Sequence, residues 1–274
     1  VLSLDGAAEL DALIDKALAD DAVKGIVITS GKDDFAGGMD LNAIAGFTNK
    51  ALAKFATRVL QAFPQAFEPS PKVEWVGNPV REELFLETPR DSLAGRQPRL
   101  LVLGGSLGAE PLNKLLPAAL QQIPTELRPQ VFHQAGKQHA EITAERYREA
   151  AVEAEVAPFI KDMARAYGWA DLVVCRAGAL TVSELAAAGL PSFLVPLPHA
   201  IDDHQSRNAE YLAKEGAAVL LAQHATDAAT LAAQLTEVLM HLEKLNVMGA
   251  TARRLAKPDA TRTVVDICQE VMRG

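Results

Sequence analysis

Short apolar runs separated by helical stretches dominate the chain from residue 100 onward, and they restrict its fold more than any other feature. The runs are LLVLG (100–104), QVFHQ (130–134), LVVCR (172–176), SFLVP (192–196) and AVLLA (218–222). Helical patterns occupy residues 110–120, 139–150, 162–168, 181–188, 205–214 and 226–240. Nearly continuous apolar strands that alternate with helices are typical of a parallel sheet covered on both faces. The sequence therefore predicts an α/β fold.

Charge, hydropathy and cysteine usage exclude several classes of protein. The formal net charge of −8 disfavours nucleic-acid binding, because phosphate contacts need clustered Lys and Arg. No apolar run reaches the roughly 20 residues that a membrane-spanning helix needs. The N-terminal VLSLDGAAEL lacks the basic and apolar parts of a secretion signal. Cys175 and Cys268 stand far apart, outside any metal-binding spacing, which indicates a reduced, cytoplasmic setting.

The pattern before residue 100 is less regular. Apolar residues over 10–18 have helical spacing, and GIVITS after them is a β-branched run that predicts a strand. Residues 49–63 predict a helix, which the Pro-containing FPQAFEPSPK ends. VEWVG is predicted as a short strand, and residues 88–99 as a polar linker.

The segment LVLGGSLGA places Gly104, Gly105 and Gly108 between a strand and a helix. Glycines there let backbone N–H groups approach a diphosphate at the positive end of the helix, and the Ser106 hydroxyl adds a donor. The spacing differs from the G-x-G-x-x-G dinucleotide pattern. A tight turn without any ligand explains the glycines equally well, so both explanations stay open at this point.

The segment CRAGALTVSEL repeats the strand–turn–helix arrangement. The strand ends at Arg176, and Thr181 or Ser183 is predicted to begin the helix. Ligands of open α/β sheets bind beyond the carboxyl ends of the strands. Glu184, in the predicted first turn, is placed there to accept hydrogen bonds from sugar hydroxyls. Stabilisation of the helix dipole by Glu184 is the competing explanation.

A polar loop follows the next strand, in PLPHAIDDHQSRNAEYL. It concentrates side chains that bind metals or sugar hydroxyls: His199, Asp202, Asp203, His204, Gln205 and Asn208. No two histidines have the i, i+4 spacing of a helical zinc site, so contact with a sugar is favoured and no metal site is predicted.

Residues 42–274 resemble the MurG family of bacterial glycosyltransferases. The similarity lies in the ordered stretches NAIAGFTNKALAKFATRVLQAFP, VGNPVR, LVLGGSLGA, HQAGK, PFIKDMARAYGWADLVVCRAGALTVSELAAAGLPSFLVPLPHAIDDHQ, RNAEYL and KPDAT. Members of this family transfer N-acetylglucosamine from UDP-N-acetylglucosamine to lipid I, which makes lipid II for peptidoglycan. The resemblance implies the C-terminal lobe of a GT-B fold, a Rossmann-like parallel sheet with helices on both faces. It also implies a donor site that needs neither metal nor cofactor.

The resemblance implies which residues bind UDP-N-acetylglucosamine. The implied donor site comprises Arg81, Gly105, Ser106, Gly108, Phe159, Ile160, Met163, Arg176, Glu184, His204 and Gln205, with Asn42 as a remnant of the acceptor side. In the family the sugar often faces a Gln pair, so His204 is a departure. We expect the loops between Arg81 and Asn208 to form the donor pocket.

Individual roles follow from the same resemblance. The glycine loop with Ser106 contacts the donor phosphates, and Arg81 lies near the nucleotide. Phe159 and Ile160 flank the uracil, which backbone groups read. Glu184 binds the ribose hydroxyls. Met163 and Arg176 are second-tier candidates.

Residues 1–41 instead resemble part of the enoyl-CoA hydratase/isomerase (crotonase) family, on AAELDALIDKALADDAVKGIVITSGKDDFAGGMDL. In that family a loop corresponding to Gly37, Gly38 or Met39 supplies one half of an oxyanion hole, and the glycine loop for the other half has no counterpart here. The chain is therefore predicted to be a chimera. Its parts are a crotonase-like α/β fragment (1–41), a remnant of the GT-B N-terminal lobe with the linker (42–80) and a UDP-sugar-binding Rossmann-like domain (81–274).

Three functions remain open: glycosyl transfer, UDP-sugar binding by a scaffold without catalysis, and residual acyl-CoA binding by the first fragment. The family's N-terminal lobe carries glycine loops for the acceptor pyrophosphate and a His candidate for the general base. Neither has a counterpart upstream of Asn42, so catalytic residues are unassigned. Lipid I and the membrane surface are partners only where that lobe is present. The family acts at the cytoplasmic face of the bacterial inner membrane.

Overall fold

The computed structural model describes residues 53–64, 66–85, 93, 95–105, 107–198 and 204–273. The helix and strand predicted within residues 1–41, and the crotonase-like fragment to which they belong, lie outside these ranges.

All strands of the described residues pair in parallel. They are β1 (Val59–Gln61), β2 (Val73–Trp75), β3 (Arg99–Leu103), β4 (Gln130–Gln134), β5 (Ala154–Ala157), β6 (Leu172–Cys175), β7 (Ser192–Leu194) and β8 (Ala218–Leu220). Strands β1 and β2 pair with each other, and the others form a six-stranded sheet in the order β5-β4-β3-β6-β7-β8. The predicted α/β fold with a parallel sheet is confirmed.

Helices connect and cover these strands. They are α1 (Glu110–Gln121), α2 (Ala140–Glu149), α3 (Met163–Trp169), α4 (Ala179–Ala188), α5 (His204–Ala213), α6 (Ala228–Met240), α7 (Leu242–Leu255) and α8 (Ala260–Arg273), with 3₁₀ turns at Glu82–Leu84, Thr125–Leu127 and Gln223–Ala225. The helices predicted between residues 110 and 240 are confirmed to within a few residues. Helices α7 and α8 were not among the predictions.

The sheet is buried on both faces. In β3, Leu100 and Val102 pack into one apolar cluster with α1 and α6. Leu101 and Leu103 point the other way, into a second cluster with α3, α4 and α5. Successive side chains of a strand alternate between the faces, so burial of all four explains why the run LLVLG is continuously apolar.

The order of the strands reverses next to β3. The chain moves from β3 outward through β4 and β5, returns to β6 on the other side of β3, and continues through β7 and β8. The β3–β6 pairing runs from Leu100↔Leu172 to Leu103↔Cys175. In open α/β sheets, the loops on either side of such a reversal separate and leave the crevice in which ligands bind.

The helix predicted over 49–63 is wrong at its C-terminal end. Val59–Gln61 is instead a strand that pairs in parallel with Val73–Trp75, and the predicted strand VEWVG is thereby confirmed. Pairing with a distant segment supplies backbone hydrogen bonds and buries Val59, a β-branched residue that suits a strand. Tertiary pairing therefore outweighs the local helical pattern.

Strand β5 was not predicted from the apolar runs. Its sequence AEVA contains Glu155, and its side chains are half-buried or exposed, because β5 lies at the edge of the sheet. An edge strand is covered on fewer sides, so it lacks the continuous apolar sequence of the central strands. Its position follows from pairing with β4, from Val131↔Ala154 to Gln134↔Ala157.

An ion pair joins the beginnings of β3 and β6, the two strands at the reversal. The Arg96 guanidinium donates to both carboxylate oxygens of Asp171, at 2.6 and 2.7 Å. Asp171 Oδ2 also accepts from the Arg99 backbone N–H at 2.8 Å, and the Asp171 side chain is only 3% exposed. The bidentate pair therefore fixes how the two strands begin relative to each other.

We expect Asp171→Ala to lower the free energy of unfolding by about 3 kcal/mol, because it removes the acceptor from a largely buried guanidinium and a backbone N–H. Denaturant titration followed by circular dichroism measures this change. Glu210→Ala is the control, since it removes an exposed ion pair with Lys214 of 2.7 Å and should cost less than about 1 kcal/mol. Equal losses in the two variants would contradict the role assigned to Asp171.

Candidate functional site

The glycine loop leads from β3 into the N-terminus of α1. Gly105 and Gly108 have φ angles of +80° and +78°, in the left-handed region. A Cβ on Gly108 would clash with the Ala135 carbonyl oxygen, whereas a Cβ on Gly105 would meet nothing within 4 Å. Gly108 is therefore needed for packing, and Gly105 leaves open space over an exposed turn. Ser106 lies outside the described residues, so its hydroxyl contact stays a prediction.

The loop after β4 packs directly on the glycine loop. Gly136 has a φ of +87°, and a Cβ on it would meet the backbone of Leu107 and Gly108 at 2.5–2.6 Å. Asn113 of α1 fixes the same loop from the protein interior, because its Nδ2 donates to the Ala135 carbonyl at 3.0 Å. The two loops therefore hold each other through backbone contacts that exclude side chains.

A buried polar chain supports Asn113. His133 Nε2 lies 3.1 Å from Asn113 Oδ1, and His133 Nδ1 lies 2.9 Å from the Tyr147 hydroxyl. Because the Asn113 amide nitrogen donates elsewhere, its oxygen accepts from His133 Nε2–H, and Nδ1 then accepts from Tyr147. Burial lowers the pKa of His133 to about 3, so this histidine is neutral at physiological pH. It supports the loop and is shielded from any substrate.

Glu184 lies in the second turn of α4, not in the first turn as predicted. The helix begins at Ala179 after an extended Gly178, and the predicted start at Thr181 or Ser183 is wrong. Ser183 Oγ instead donates back to the Ala179 carbonyl at 3.0 Å. Helix-dipole effects fall off after the first turn, so stabilisation of the dipole does not explain Glu184.

The Glu184 carboxylate is buried and has two polar partners, Tyr167 and Arg81. It is 7% exposed, accepts a hydrogen bond from the Tyr167 hydroxyl at 3.0 Å and lies 3.7 Å from the Arg81 guanidinium. Burial raises the pKa of Glu184, and the Tyr167 hydrogen bond and the Arg81 charge oppose this shift. Sequence analysis missed Tyr167, because its partner belongs to another helix and no local pattern marks it.

Arg81 stands at the rim of this site. It precedes the 3₁₀ turn Glu82–Leu84, which packs against both α3 and α4. Its side chain is 52% exposed and lies between Glu83, at 3.9 Å, and Glu184, at 3.7 Å. The structure therefore brings Arg81 to Glu184, 103 positions away by residue numbering.

Arg176 joins the carboxyl ends of three strands. Its guanidinium donates to the carbonyls of Val195 and Pro196, at 3.0 and 3.2 Å, and to Gln223 Oε1 at 2.6 Å. These contacts hold the loops after β7 and β8 to the loop after β6. Direct contact of Arg176 with a substrate stays a prediction.

Gln205 and Asn208 of α5 have different surroundings. Gln205 Oε1 accepts from the Leu197 backbone N–H at 2.9 Å, which leaves Nε2 as the donating end of the amide. Asn208 is buried, and its Nδ2 donates to the Ala177 carbonyl at 3.1 Å, so it supports the turn before α4. The predicted role of His204 is untested, because its side chain lies outside the described structure.

The loop after β5 carries Phe159 and Ile160, and Met163 begins α3 directly after it. Asp162 caps α3 by accepting from the Arg165 backbone N–H at 2.9 Å. Phe159 is 42% exposed, whereas Ile160 is 6% exposed and belongs to the core. The Phe159 ring is therefore accessible to solvent, and Ile160 anchors the loop in the core.

The described residues also line a hollow to which the predicted donor-site residues do not contribute. A solvent-open hollow of about 280 Å³ lies beside the 77–80 segment, and it is lined by Phe63, Ser183, Tyr211 and Lys257 among others. None of the predicted donor-site residues lines it. Gly105, Gly108, Phe159 and Arg176 follow the strands β3, β5 and β6, so they lie at the carboxyl edge of the sheet. Asn42 lies outside the described residues.

Neither a metal-ligand group nor a membrane span is present in the described part of the chain. Within it, no three His, Cys, Asp or Glu side chains are grouped so as to hold a metal ion. Among the same residues, no helix has the length and apolar character needed to cross a membrane.

The chain is similar to two bacterial proteins that share one name, UDP-N-acetylglucosamine–N-acetylmuramyl-(pentapeptide) pyrophosphoryl-undecaprenol N-acetylglucosamine transferase. The protein of Ectopseudomonas mendocina (strain ymp) is 86% identical over 233 residues, which cover 85% of this chain and 65% of the relative. That of Stutzerimonas stutzeri (strain A1501) is 78% identical with the same coverage. The chain thus spans about 65% of the length of these relatives.

A solved structure and a family match agree with these relatives. The crystal structure of Acinetobacter baumannii MurG is 42% identical to this chain with a TM-score of 0.72, and the match covers 83% of this chain and 65% of that one. This likeness confirms the GT-B type of fold. Residues 99–264 match the family described as Glycosyltransferase family 28 C-terminal domain. The chain therefore belongs to glycosyltransferase family 28, whose C-terminal domain it contains.

Proposed function

We propose that this chain binds UDP-N-acetylglucosamine at the carboxyl edge of its sheet, as the donor-binding part of a transferase that converts lipid I to lipid II. The observation that carries the proposal is the buried Glu184 carboxylate beside Arg81, on the helix that follows β6 at the strand reversal. The glycine loop follows β3, on the other side of that reversal. The names of the relatives at 86% and 78% identity support this donor and acceptor.

In this proposal the diphosphate lies on the backbone N–H groups around Gly105 and Gly108. The N-terminus of α1 follows, and its dipole favours negative charge. Glu184 accepts hydrogen bonds from the ribose hydroxyls. The exposed ring of Phe159 and the backbone near Ile160 take the uracil.

The other predicted residues have supporting roles in the proposed site. Gln205 donates its amide to the transferred sugar, and His204 faces the same group. Arg81 supplies positive charge near the nucleotide, and Ser106 adds a hydroxyl to the phosphate cradle. Met163 and Arg176 are further candidates for the site, to which no specific contact with the donor is assigned.

The reaction proposed for the longer protein is direct displacement at the anomeric carbon with inversion. A general base takes the proton of the acceptor hydroxyl as the new carbon–oxygen bond forms, and UDP leaves with the bonding electrons. The donors of the phosphate cradle stabilise the charge that develops on the leaving diphosphate. His133 is unsuited to act as the base, because it is fully buried.

A UDP-sugar-binding scaffold without transfer is the second candidate, since the proposed residues bind only the donor. Calorimetry with UDP-N-acetylglucosamine tests donor binding. Transfer of radiolabelled N-acetylglucosamine to a lipid I analogue separates the enzyme from the scaffold. Absence of donor binding would remove both candidates.

We also propose that the chain is composite, with parts at 1–41, 42–80 and 81–274. The 233 aligned residues of the E. mendocina relative equal the length of residues 42–274, which supports the first boundary. Calorimetry with an acyl-CoA tests the crotonase-like fragment, for which we expect no binding because half of the oxyanion hole has no counterpart. For the longer protein we propose the cytoplasmic face of the inner membrane as its place of action.

We expect Glu184→Ala to weaken UDP binding about tenfold to a hundredfold, because the ribose hydroxyls lose a charged acceptor. Isothermal titration calorimetry with UDP gives the dissociation constant. Glu237→Ala is the matched control, since it removes an exposed carboxylate paired with Lys244 at 2.7 Å and should leave the constant unchanged. If Glu184→Ala binds UDP as the wild type does, Glu184 is not in the site.

We expect Gly105→Ala to reduce UDP affinity at least tenfold, because its Cβ occupies the open space over the phosphate cradle. Gly216→Ala is the control. Gly216 also has a positive φ, of +78°, and an open surrounding, but it precedes β8 at the amino edge of the sheet. Both variants should lose about 1 kcal/mol of stability from the left-handed alanine. Equal UDP affinities in the two variants would place the diphosphate elsewhere.

A further inference from the structure

The Tyr167 hydroxyl makes its contact deep inside the protein. Tyr167 belongs to α3, is 1% exposed and donates to Glu184 Oε2 at 3.0 Å. Burial raises the pKa of Tyr167 well above its ordinary value, and the charge of Glu184 adds to this shift. The phenol therefore keeps its proton throughout the physiological range, and it always acts as a donor to the carboxylate.

This hydrogen bond restricts the orientation of the Glu184 carboxylate. The terminal torsion of a glutamate is broad and roughly two-fold, so a carboxylate without a fixed partner samples many orientations. Tyr167 occupies one site on Oε2, and the Arg81 guanidinium lies 3.7 Å from Oε1. A carboxylate has about four acceptor sites. Because Tyr167 and Arg81 fix the plane of the carboxylate, its unused acceptor sites point in fixed directions.

We propose that Tyr167 is the positioning residue that orients Glu184 to read the ribose hydroxyls, so that Tyr167 sets the discrimination between ribose and a sugar without these hydroxyls. The inference rests on the proposed function, because it needs a nucleotide whose ribose lies at Glu184. Without Tyr167 the carboxylate turns toward Arg81, the cation beside it. The two hydroxyls then lose an acceptor with fixed geometry, whereas the diphosphate and uracil contacts stay as they are.

The test compares two ligands on the full chain by calorimetry: UDP and 2′,3′-dideoxyuridine diphosphate, which lacks both ribose hydroxyls. We expect Tyr167→Phe to weaken UDP binding about threefold to tenfold, the usual effect of one hydrogen bond. Its affinity for the dideoxy compound should change by less than about twofold. The ratio of the two affinities is the decisive readout, because a general loss of structure lowers both affinities together.

Tyr147→Phe is the matched control for this variant. Tyr147 is also 1% exposed, and its hydroxyl bonds to His133 at 2.9 Å, away from Glu184. Removing it takes one buried hydroxyl from the core and should leave the ratio of affinities at its wild-type value. A Tyr167→Phe variant whose ratio equals that of Tyr147→Phe overturns the inference, and Tyr167 is then a core residue only.

Glu184→Ala separates this outcome from failure of the proposed function. If Glu184→Ala weakens UDP binding while Tyr167→Phe keeps the wild-type ratio, the site stands and the role of Tyr167 is wrong. If Glu184→Ala has no effect, the site itself is wrong, and the inference falls with it.

A second measurement leaves Tyr167 in place, in case Tyr167→Phe does not fold. The chain has three tyrosines, so 3-fluorotyrosine labelling gives three fluorine resonances, which Tyr147→Phe and Tyr211→Phe assign. We expect the Tyr167 resonance to shift more with saturating UDP than with the dideoxy compound. Equal shifts with the two ligands contradict the inference.

Discussion

Parallel pairing of β3 with β6 is the constraint on which the rest of the structure depends. It places the chain's first strand of the large sheet beside its fourth, so that the strand order reverses there. Both strands are buried on two faces, and a shift of register by one residue would move every side chain to the wrong cluster. The Arg96–Asp171 pair fixes the beginnings of these strands. Their carboxyl ends, with the loops that follow, are thereby fixed as well.

Rigid support of those loops comes from contacts that leave no room for side chains. Gly108 and Gly136 bring the backbones after β3 and β4 together, and Asn113 holds the second loop through its amide. A cradle for a diphosphate needs N–H groups in fixed positions, because reorganisation on binding would cost affinity. The buried chain through His133 to Tyr147 extends this support into the core, where it is shielded from solvent.

Local sequence predicts those parts of the molecule that local burial determines. The central strands and most helices follow from apolar periodicity. Residues such as Leu100 and Leu172 are apolar because they are buried, so their pattern shows the strand without knowledge of the segment with which it pairs. Strand β1 escaped prediction because Val59–Gln61 is defined by pairing with a distant segment, and β5 because an edge strand has no continuous apolar run. In the proposed site, Glu184 was predicted from its place after a strand. Arg81 was predicted from the family resemblance, whereas Tyr167 was not predicted, because only the fold brings it to Glu184.

The burial of the Glu184 carboxylate has an energetic cost, which bears on the proposed role of this residue. Burial raises the pKa of its carboxyl in the folded state, so the folded protein binds a proton more tightly there than the unfolded chain does. The stability that this group contributes is therefore present at pH values below its ordinary pKa and is lost as pH rises through the raised value. The ionised form of the carboxyl opposes folding, and Tyr167 and Arg81 offset only part of that cost. A side chain kept for packing alone would be apolar at this position. A buried, oriented and partly compensated carboxylate suits the proposed contact with neutral sugar hydroxyls, because in that proposal the nucleotide completes its hydrogen bonds.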